Sequence, residues 1–379
     1  MLLKAKGIST KVAEPIVAKV TRDPLSEELN QILISENGIF SDDHSRFEAI
    51  LTDQDIPRVP IDKPSVYSIP TFDHLVDGDI VVVNPNGIIN TLYRIKSDHN
   101  FLLFTERCNS NCLMCSQPPR DRDDIPYLYN IYKQLIPLIP KNCFELGITG
   151  GEPTLLGDLF FELLHLIKTE LPETEVHCLS NGRAFAWGSF SERLGTMQFS
   201  RLMVGIPLYS DYYQVHDYIV QAKNAFNQTM QGLYNLAVQN QRIEIRVVLH
   251  KQSIPRLTRL AKYIYKNLPF VEHIAFMGLE YEGYTPHNIQ ELWIDPTDYM
   301  KELEEAVEFL SSKGMNVSIY NSQLCLMPQS LWKFNKKSIS DWKNIYLDEC
   351  SKCTMINECG GLFASGEKRH SKFIKAFHS

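Results

Sequence analysis

Three cysteines stand close together after a short apolar segment, in the pattern Cys108-Asn-Ser-Asn-Cys112-Leu-Met-Cys115. Three thiolates on one short loop can hold three corners of a 4Fe–4S cluster, because the loop can wrap around the cube and give each sulfur a different iron. The fourth iron then lacks a cysteine, and an open metal position is what a catalytic site requires. A structural zinc ion is the alternative, but it would need a fourth ligand nearby.

The chain of 379 residues has nine cysteines, and an odd number cannot form a closed set of internal disulfides. The N-terminal sequence contains no charged-then-apolar signal peptide, and no run approaches the roughly 18 apolar residues of a membrane helix. We therefore expect a cytoplasmic, reducing setting without a membrane partner, in which clustered cysteines bind metal more often than each other.

The formal net charge is −7, which argues against a broad nucleic-acid surface, because such a surface would be basic. Residues 1–99 hold 10 Lys and Arg against 15 Asp and Glu, so this part accounts for −5 of the total. An acidic, solvated surface explains that imbalance. The alternative is a docking face for a basic or His-rich partner.

Residues 1–99 combine turn sequences with short β-branched runs. Asp77-Gly78 and the segment Asn84-Pro-Asn-Gly87 are turn signals, and the segments 79–83 and 88–95 have the composition of strands. This pattern predicts a small β-rich, acidic N-terminal domain that contains a hairpin near Asn86-Gly87.

From residue 100 to 313, short apolar strands alternate with longer amphipathic segments, which predicts an α/β fold with a parallel sheet covered by helices. About six βα units suit a partial barrel of the TIM type, with ligand chemistry at the carboxyl ends of the strands. The predicted strands are 100–105, 143–149, 174–180, 201–207, 243–250 and 271–278, and the predicted helices are 126–139, 158–170, 219–239, 256–267 and 297–313. Residues 314–379 are irregular, and we expect the last dozen, which are basic, to be a frayed and solvated tail.

The cysteine spacing after the first barrel strand resembles that of the radical S-adenosylmethionine (SAM) superfamily. The segment Gly150-Gly151-Glu152-Pro153 at the end of the second strand is similar to the GGEP motif of that superfamily. The resemblance implies that SAM chelates the open iron and that the glycine-rich strand end binds the SAM amino group. Glycines let backbone carbonyls approach closely, and Glu152 would offer a carboxylate to an ammonium group.

Further positions are carried over from the same resemblance, each with an alternative. Ser180-Asn181-Gly182 would lie near the SAM ribose, or form an ordinary turn. Arg246 would pair with the SAM carboxylate, or form a salt bridge inside the barrel. The backbone of Met114 would lie against adenine, or its side chain would simply pack. Met277, before Gly278, ends the sixth strand, where adenine or substrate would enter.

A second group comprises Cys325, Cys350, Cys353 and Cys359, with Cys-x2-Cys at its centre. Four thiolates indicate a closed site, either a zinc ion or an auxiliary iron–sulfur cluster. The array resembles the C-terminal twitch or SPASM domains of peptide-modifying radical SAM enzymes, although it lacks the further cysteines of a full SPASM domain. That likeness favours one auxiliary 4Fe–4S cluster in residues 314–379.

The two remaining cysteines, Cys143 and Cys178, lie in apolar strands, where a free thiol behaves as a small core residue. For His216-Asp217 we expect Asp217 to cap the following helix.

The segment 101–124, the Met277–Glu280 segment and the C-terminal cysteine array together resemble the His-Xaa-Ser system radical SAM maturases of the HxsC type. Membership would imply a ribosomally made, His-rich precursor peptide, a partner radical SAM protein and an electron donor such as flavodoxin or ferredoxin. By this resemblance, SAM is cleaved reductively at the first cluster to a 5′-deoxyadenosyl radical, which abstracts hydrogen from the peptide. A radical SAM enzyme acting on a small metabolite and a noncatalytic iron–sulfur partner of a second maturase are the alternatives.

Overall fold

The structure is a computed structural model that describes residues 3–36, 45–55, 63–338 and 344–378. The chain divides into two compact units. The first comprises Met1–Leu102, Ile125–Gly147 and Asp158–Thr174, and the second comprises Leu103–Asp124, Ile148–Gly157 and Glu175–Ser379. The division into domains at residues 99 and 313 stays a prediction.

An eight-stranded sheet forms most of the N-terminal region, as the turn and strand patterns predict. Its strands are β1 (Lys4–Lys6), β2 (Ile8–Thr10), β3 (Ile16–Thr21), β4 (Gln31–Ser35), β5 (Ala49–Thr52), β6 (Ser65–Tyr67), β7 (Ile80–Val83) and β8 (Ile88–Tyr93). They lie in the order β1-β8-β7-β3-β4-β5-β6-β2. The predicted hairpin joins β7 to β8, and Gly87 closes it with a φ of +75° and a hydrogen bond from its N–H to Asn84 O at 2.9 Å.

The second sheet also has eight strands, and it curls into the expected half-barrel. Its strands are β9 (His99–Leu103), β10 (Glu145–Thr149), β11 (Glu175–Leu179), β12 (Leu202–Pro207), β13 (Arg242–Leu249), β14 (His273–Gly278), β15 (Val317–Tyr320) and β16 (Asn335–Lys336). They follow one another in chain order, and the pairs from β11 to β16 are parallel. The strands are apolar because helices cover the sheet.

The described helices are α1 (Ile125–Leu135), α2 (Asp158–Glu170), α3 (Gly188–Thr196), α4 (Tyr213–Val220), α5 (Ala225–Val238), α6 (Leu257–Asn267), α7 (Ile289–Leu292), α8 (Met300–Ser312) and α9 (Gln329–Trp332). In α6, Leu257, Leu260, Ala261 and Ile264 are buried, and their three- and four-residue spacing places them on one face. None of the described helices is both long enough and apolar enough to cross a membrane.

The predicted helix over 219–239 starts too early: residues 219–220 end α4, the chain is not helical at 221–224, and α5 forms the rest. Gln221 and Asn224 have left-handed backbones, with φ of 51° and 61°, which an α-helix cannot continue through. Asp217 caps α5 across this break, because its carboxylate accepts the N–H of Asn224 at 2.6 Å and of Phe226 at 2.7 Å. The capping role was predicted, but the break was not.

Residues 314–338, predicted to be irregular, contain β15, α9 and β16 and so continue the half-barrel. The described residues 344–378 are mostly irregular, as expected, and their strands are the short pair β17 (Asn344–Ile345) and β18 (Leu362–Phe363). The expectation of a frayed tail was wrong for residues 371–377. Ser371 is 2% exposed and donates to Asp295 Oδ1 at 2.9 Å, and Thr354 N donates to Phe377 O at 3.0 Å. Phe377 also packs edge-on against Trp332, so one aromatic contact anchors a basic segment.

Candidate functional site

The three-cysteine loop begins directly after β9 and lies against α4. The N–H groups of Asn111 and Leu113 donate to Val220 O at 3.0 Å and Ile219 O at 2.9 Å, which are the last carbonyls of that helix. These carbonyls have no partner within α4, so the loop satisfies them. The end of α4 therefore fixes the segment that carries Cys112.

The thiols of Cys108, Cys112 and Cys115 are partly buried, and each is a free cysteine. Burial raises the pKa of Cys108 to about 11 and also raises the pKa of Cys112 and Cys115. The neighbouring sulfurs add to this effect at Cys112, so the three groups lie close enough to repel one another as thiolates. Three thiolates here need a cationic partner, and an iron–sulfur cluster supplies it.

Among the described residues, no group of three or more His, Cys, Asp and Glu side chains is arranged to hold a single metal ion. A cubic cluster has a different requirement, because each thiolate binds a different iron and the sulfurs stand further apart. The burial and mutual repulsion of the three thiols fit the cluster.

The glycines of the GGEP segment bring the end of β10 against the cysteine loop. Gly151 N donates to Thr105 O at 2.8 Å, and Glu152 N donates to Arg107 O at the same distance. A Cβ on Gly151 would lie 2.1 Å from Arg107 O, and a Cβ on Gly150 would lie 2.5 Å from Thr105 O. Glycine is required at both positions because backbone meets backbone there.

Glu152 was expected to offer its carboxylate to an ammonium group, but the structure gives that carboxylate internal partners. It is fully buried, and Oε1 accepts from Thr154 N at 3.1 Å, Thr154 Oγ1 at 2.6 Å and Ser180 Oγ at 2.8 Å. Oε2 accepts from Asn181 N at 2.6 Å. Burial raises the pKa of Glu152, and these hydrogen bonds oppose that rise. The side chain thus ties the end of β10 to the end of β11.

Asn181 and Arg183 connect the end of β11 to the cysteine loop. Asn181 Nδ2 donates to Asn109 Oδ1 at 2.6 Å and lies 4.0 Å from Cys108 Sγ. Arg183 donates to Ser110 Oγ at 3.1 Å and to the carbonyl of Asn109. The structure therefore brings Cys108, Asn181 and Glu152 together, as the motifs predict.

Arg246 lies inside the half-barrel and forms a salt bridge, one of the two roles that the sequence allows for it. Its Nη1 lies 2.5 Å from Glu244 Oε1, and its Nη2 lies 3.2 Å from Met277 Sδ. His273 Nδ1 contacts the other oxygen of Glu244 at 2.6 Å, and His177 Nε2 lies 3.4 Å from Oε1. Burial opposes ionisation of Glu244, but these partners outweigh it and hold the pKa of the carboxyl well below its usual range.

The side chain of Met114 packs rather than projecting into open space. It is 7% exposed and belongs to an apolar cluster with Tyr209, Ile219, Val220 and Leu292. Cys143 and Cys178 are buried at 8% and 0% exposure, and the assignment of both to the core is confirmed.

The four C-terminal cysteines line one cavity that is partly open to solvent. The rest of its lining is mainly apolar: Leu324, Ile345, Met355, Ile356, Leu362, Ile374 and Phe377. Burial raises the pKa of Cys325 and Cys350, and Phe377 N donates to Cys353 Sγ at 3.3 Å. The cavity has the thiol donors that an iron–sulfur cluster needs, and the C-terminal segment forms part of its wall.

Several residues of the candidate site were missed in the sequence. These residues, which hold the cysteine loop, are Arg183, Asn109 and Asp124. The Asp124 carboxylate accepts hydrogen bonds from Thr105 Oγ1 at 2.6 Å and from Glu106 N at 2.7 Å. Glu244 was missed as well. Its position two residues before Arg246 on the same face of β13 was a signal, because a buried arginine needs a counterion.

A parallel half-barrel with a three-cysteine loop after its first strand defines a class of iron–sulfur protein that binds its small-molecule partner at the strand ends. Residues 102–264 match the family model of the Radical SAM superfamily. This part of the chain is therefore a radical SAM domain, the domain that radical SAM enzymes share.

The chain is similar to the uncharacterized protein MJ0907 of Methanocaldococcus jannaschii, with 23% identity over 172 residues, 44% of this chain and 58% of that protein. Streptococcus suis SuiB bound to S-adenosylmethionine is 15% identical, with a TM-score of 0.48 over 66% of this chain and 55% of SuiB. The anSMEcpe protein with bound AdoMet and the Cp18Cys peptide is 17% identical, with a TM-score of 0.49 over 73% of this chain and 91% of that one. The chain thus spans little more than half the length of the first two.

Proposed function

We propose that this protein is a peptide-modifying radical SAM enzyme. The observation that carries the proposal is the junction at the ends of β9, β10 and β11. There, a loop with three thiols but no fourth cysteine is held by Asn181 beside Cys108 and by the glycine contacts of Gly150 and Gly151.

When bound, a 4Fe–4S cluster on Cys108, Cys112 and Cys115 together with SAM would supply reductive cleavage to a 5′-deoxyadenosyl radical that abstracts a substrate hydrogen. The residues of the chain position these groups. Gly150 and Gly151 let the strand end approach the backbone that leads into the cysteine loop. Ser180 and Asn181 lie at the next strand end, and hydrogen bonds to Glu152 tie the two ends together.

Arg246 and Met277, which contact each other, belong to the same proposed SAM site. Arg246 is only partly buried, and Glu244 takes up one end of its guanidinium group. The remaining N–H groups of this fork can meet a carboxylate, since a guanidinium has five donors. We therefore keep both roles, salt bridge and SAM carboxylate partner, for Arg246.

For the four-cysteine cavity we favour an auxiliary 4Fe–4S cluster over zinc. Among the described residues no three metal-binding side chains are arranged around a single ion, whereas in a cluster each thiolate binds a different iron. The position of the cavity in residues 314–379 supports a twitch-like C-terminal domain. The proposed substrate, a ribosomally made precursor peptide of the His-Xaa-Ser type, rests on the sequence resemblance. The same proposal includes a partner radical SAM protein and an electron donor such as flavodoxin or ferredoxin. It also includes a cytoplasmic location and the docking of a basic or His-rich partner on residues 1–99.

The test is anaerobic purification, iron and sulfide analysis, and detection of 5′-deoxyadenosine after addition of dithionite and SAM. We expect about eight irons per chain, four from each cluster, and SAM cleavage above the level without protein. Cys112→Ala should abolish cleavage and lower the iron to about four, whereas Cys178→Ala, a core cysteine, should keep both. Full cleavage by Cys112→Ala would contradict the proposal, and about four irons in the unaltered protein would remove the auxiliary cluster.

A further inference from the structure

A second cavity lies at the carboxyl ends of β13, β14 and β15, outside the cysteine sites. It is partly open to solvent and has a mixed polar and apolar lining. Leu249, Gly278 and Asn321 line it at the three strand ends. This edge of a barrel is where ligands bind.

Asn321 is the polar group that distinguishes this cavity. The residue is 7% exposed and lines the cavity, yet neither its Nδ2 nor its Oδ1 has a hydrogen-bond partner among the described residues. A buried amide without hydrogen-bond partners lowers the stability of the fold. The Nδ2 donor and the Oδ1 acceptor of Asn321 lie side by side, so a ligand group with a matching acceptor and donor can satisfy both. The complement of an amide is another amide, which accepts at its oxygen and donates at its nitrogen.

The C-terminal segment forms the outer wall of the cavity, and that wall is anchored. Ser371 donates to Asp295, and His370 Nδ1 lies 3.0 Å from Gly366 O. The guanidinium carbon of Arg369 lies 5.9 Å from the ring centroid of Trp293, within the range of a cation–π contact.

Apolar side chains provide most of the remaining lining. They come from the strand ends, from the segment before α8 and from β18, and they are Leu249, Leu279, Trp293, Met300, Leu362 and Phe363. Such a lining suits a single apolar side chain next to the amide that meets Asn321.

We propose that this cavity is the binding site for a segment of the peptide substrate, recognised by an amide of the substrate paired with both polar atoms of the Asn321 side chain. An apolar side chain of the peptide lies against Trp293 and Leu279. The assignment rests on the proposed function for the identity of the peptide as substrate. The donor and acceptor come either from the side-chain amide of Asn or Gln or from the main-chain N–H and C=O of one extended residue, which point to the same side.

Binding of small amide probes to the full-length, cluster-containing protein tests the site. N-acetyl-leucine N′-methylamide supplies a main-chain amide, and N-acetyl-glutamine methyl ester supplies a side-chain amide. Ligand-observed NMR titration gives a Kd for each probe. We expect the better probe to bind about tenfold more tightly than the methyl ester of O-acetyl-2-hydroxy-4-methylpentanoic acid, in which esters replace both amides and leave no N–H donor for Asn321 Oδ1. Equal binding of amide and ester by the unaltered protein overturns the proposal without any mutation.

Asn321→Ala should weaken probe binding about tenfold. The matched control is Asn240→Ala, because Asn240 has the same left-handed backbone, with a φ of 54° against 55° for Asn321, but is exposed at the end of α5. Asn321→Asp keeps the shape of the side chain and removes its donors, so it should also weaken binding. Unchanged binding in both Asn321 variants, or displacement of the probe by SAM, rules the assignment out.

Uncoupled SAM cleavage by the unaltered protein, measured in parallel, separates this proposal from the proposed function. Probe binding without SAM cleavage contradicts the enzymatic role and leaves the amide site intact. SAM cleavage without probe binding contradicts the amide site and leaves the enzymatic role intact.

Discussion

The Glu152 carboxylate accepts the backbone N–H of Asn181 at 2.6 Å, although the two residues belong to the ends of different strands. Glu152 is fully buried and accepts three further hydrogen bonds on its other oxygen. Four donors thus converge on one carboxylate directly beneath the cysteine loop. This arrangement makes Glu152 a positioning residue as well as part of a family motif.

Glu152→Gln should destabilise the protein strongly. An amide NH₂ cannot accept, so at least one of the donors from Thr154, Ser180 or Asn181 loses its partner in a buried site. We expect the free energy of unfolding in urea to fall by about 2–3 kcal/mol and the iron content to fall with it. Glu192→Gln, on the exposed face of α3, is the control and should change stability by less than about 0.5 kcal/mol. Equal stability of the two variants would show that the buried network is not needed.

Gly151→Ala should displace the cysteine loop. The added Cβ would lie 2.1 Å from Arg107 O, a backbone atom that cannot rotate away. We expect the variant to fold but to retain less than half of the iron of the first cluster, as measured by iron analysis after anaerobic purification. Gly188→Ala is the matched control at the start of α3, where the nearest atom to a new Cβ is 4.0 Å away. A Gly151→Ala protein with full iron content would contradict the close approach of β10 and the loop.

The parts of the fold and site that the sequence predicted are those with a local signal. The strand and helix alternation, the hairpin at Gly87 and the burial of Cys143 and Cys178 each follow from patterns within a short segment. The partners of Glu152 did not follow, because they depend on how neighbouring strand ends meet. The break between α4 and α5 depends on a contact between Asp217 and the next helix, which helical periodicity does not reveal.

The C-terminal segment shows the same limit in another form. Its basic composition predicts a solvated tail, yet Ser371 and Phe377 anchor it by one buried hydroxyl and one aromatic contact. Two residues outweigh the average character of a dozen, since burial acts through individual side chains.

Glu244→Gln should cost about 3 kcal/mol of unfolding free energy, because Arg246 would keep a charge in a partly buried site without its counterion. The double variant Glu244→Gln, Arg246→Met should recover part of this loss, which a double-mutant cycle measures in urea. The control is Glu272→Gln, which breaks the exposed pair between Glu272 and Arg242 and should cost at most about 1 kcal/mol. If the losses of unfolding free energy from the Glu244 and Arg246 substitutions simply add, the two side chains are not energetically coupled and the prediction is wrong.

Two buried histidines predict a loss of stability in mild acid. Burial lowers the pKa of His216 to about 4 and that of His250 to about 3, so both are neutral in the folded protein at pH 5. In the unfolded chain each binds a proton near pH 6.5. Because the unfolded state then binds more protons, the stabilising contribution is complete above pH 6.5 and is lost as the pH falls towards 4.

Urea unfolding of His216→Gln at pH 7.5 and pH 5 measures this contribution. Between these two pH values the unaltered protein should lose about 2 kcal/mol more unfolding free energy than the variant. That difference is the contribution of one histidine whose pKa burial lowers from about 6.5 to about 4. His165→Gln, at an exposed position of α2, is the matched control and should leave the pH dependence as it is. If His216→Gln and His165→Gln show the same pH dependence, then His216 is not held neutral by burial against Tyr209 and Phe226.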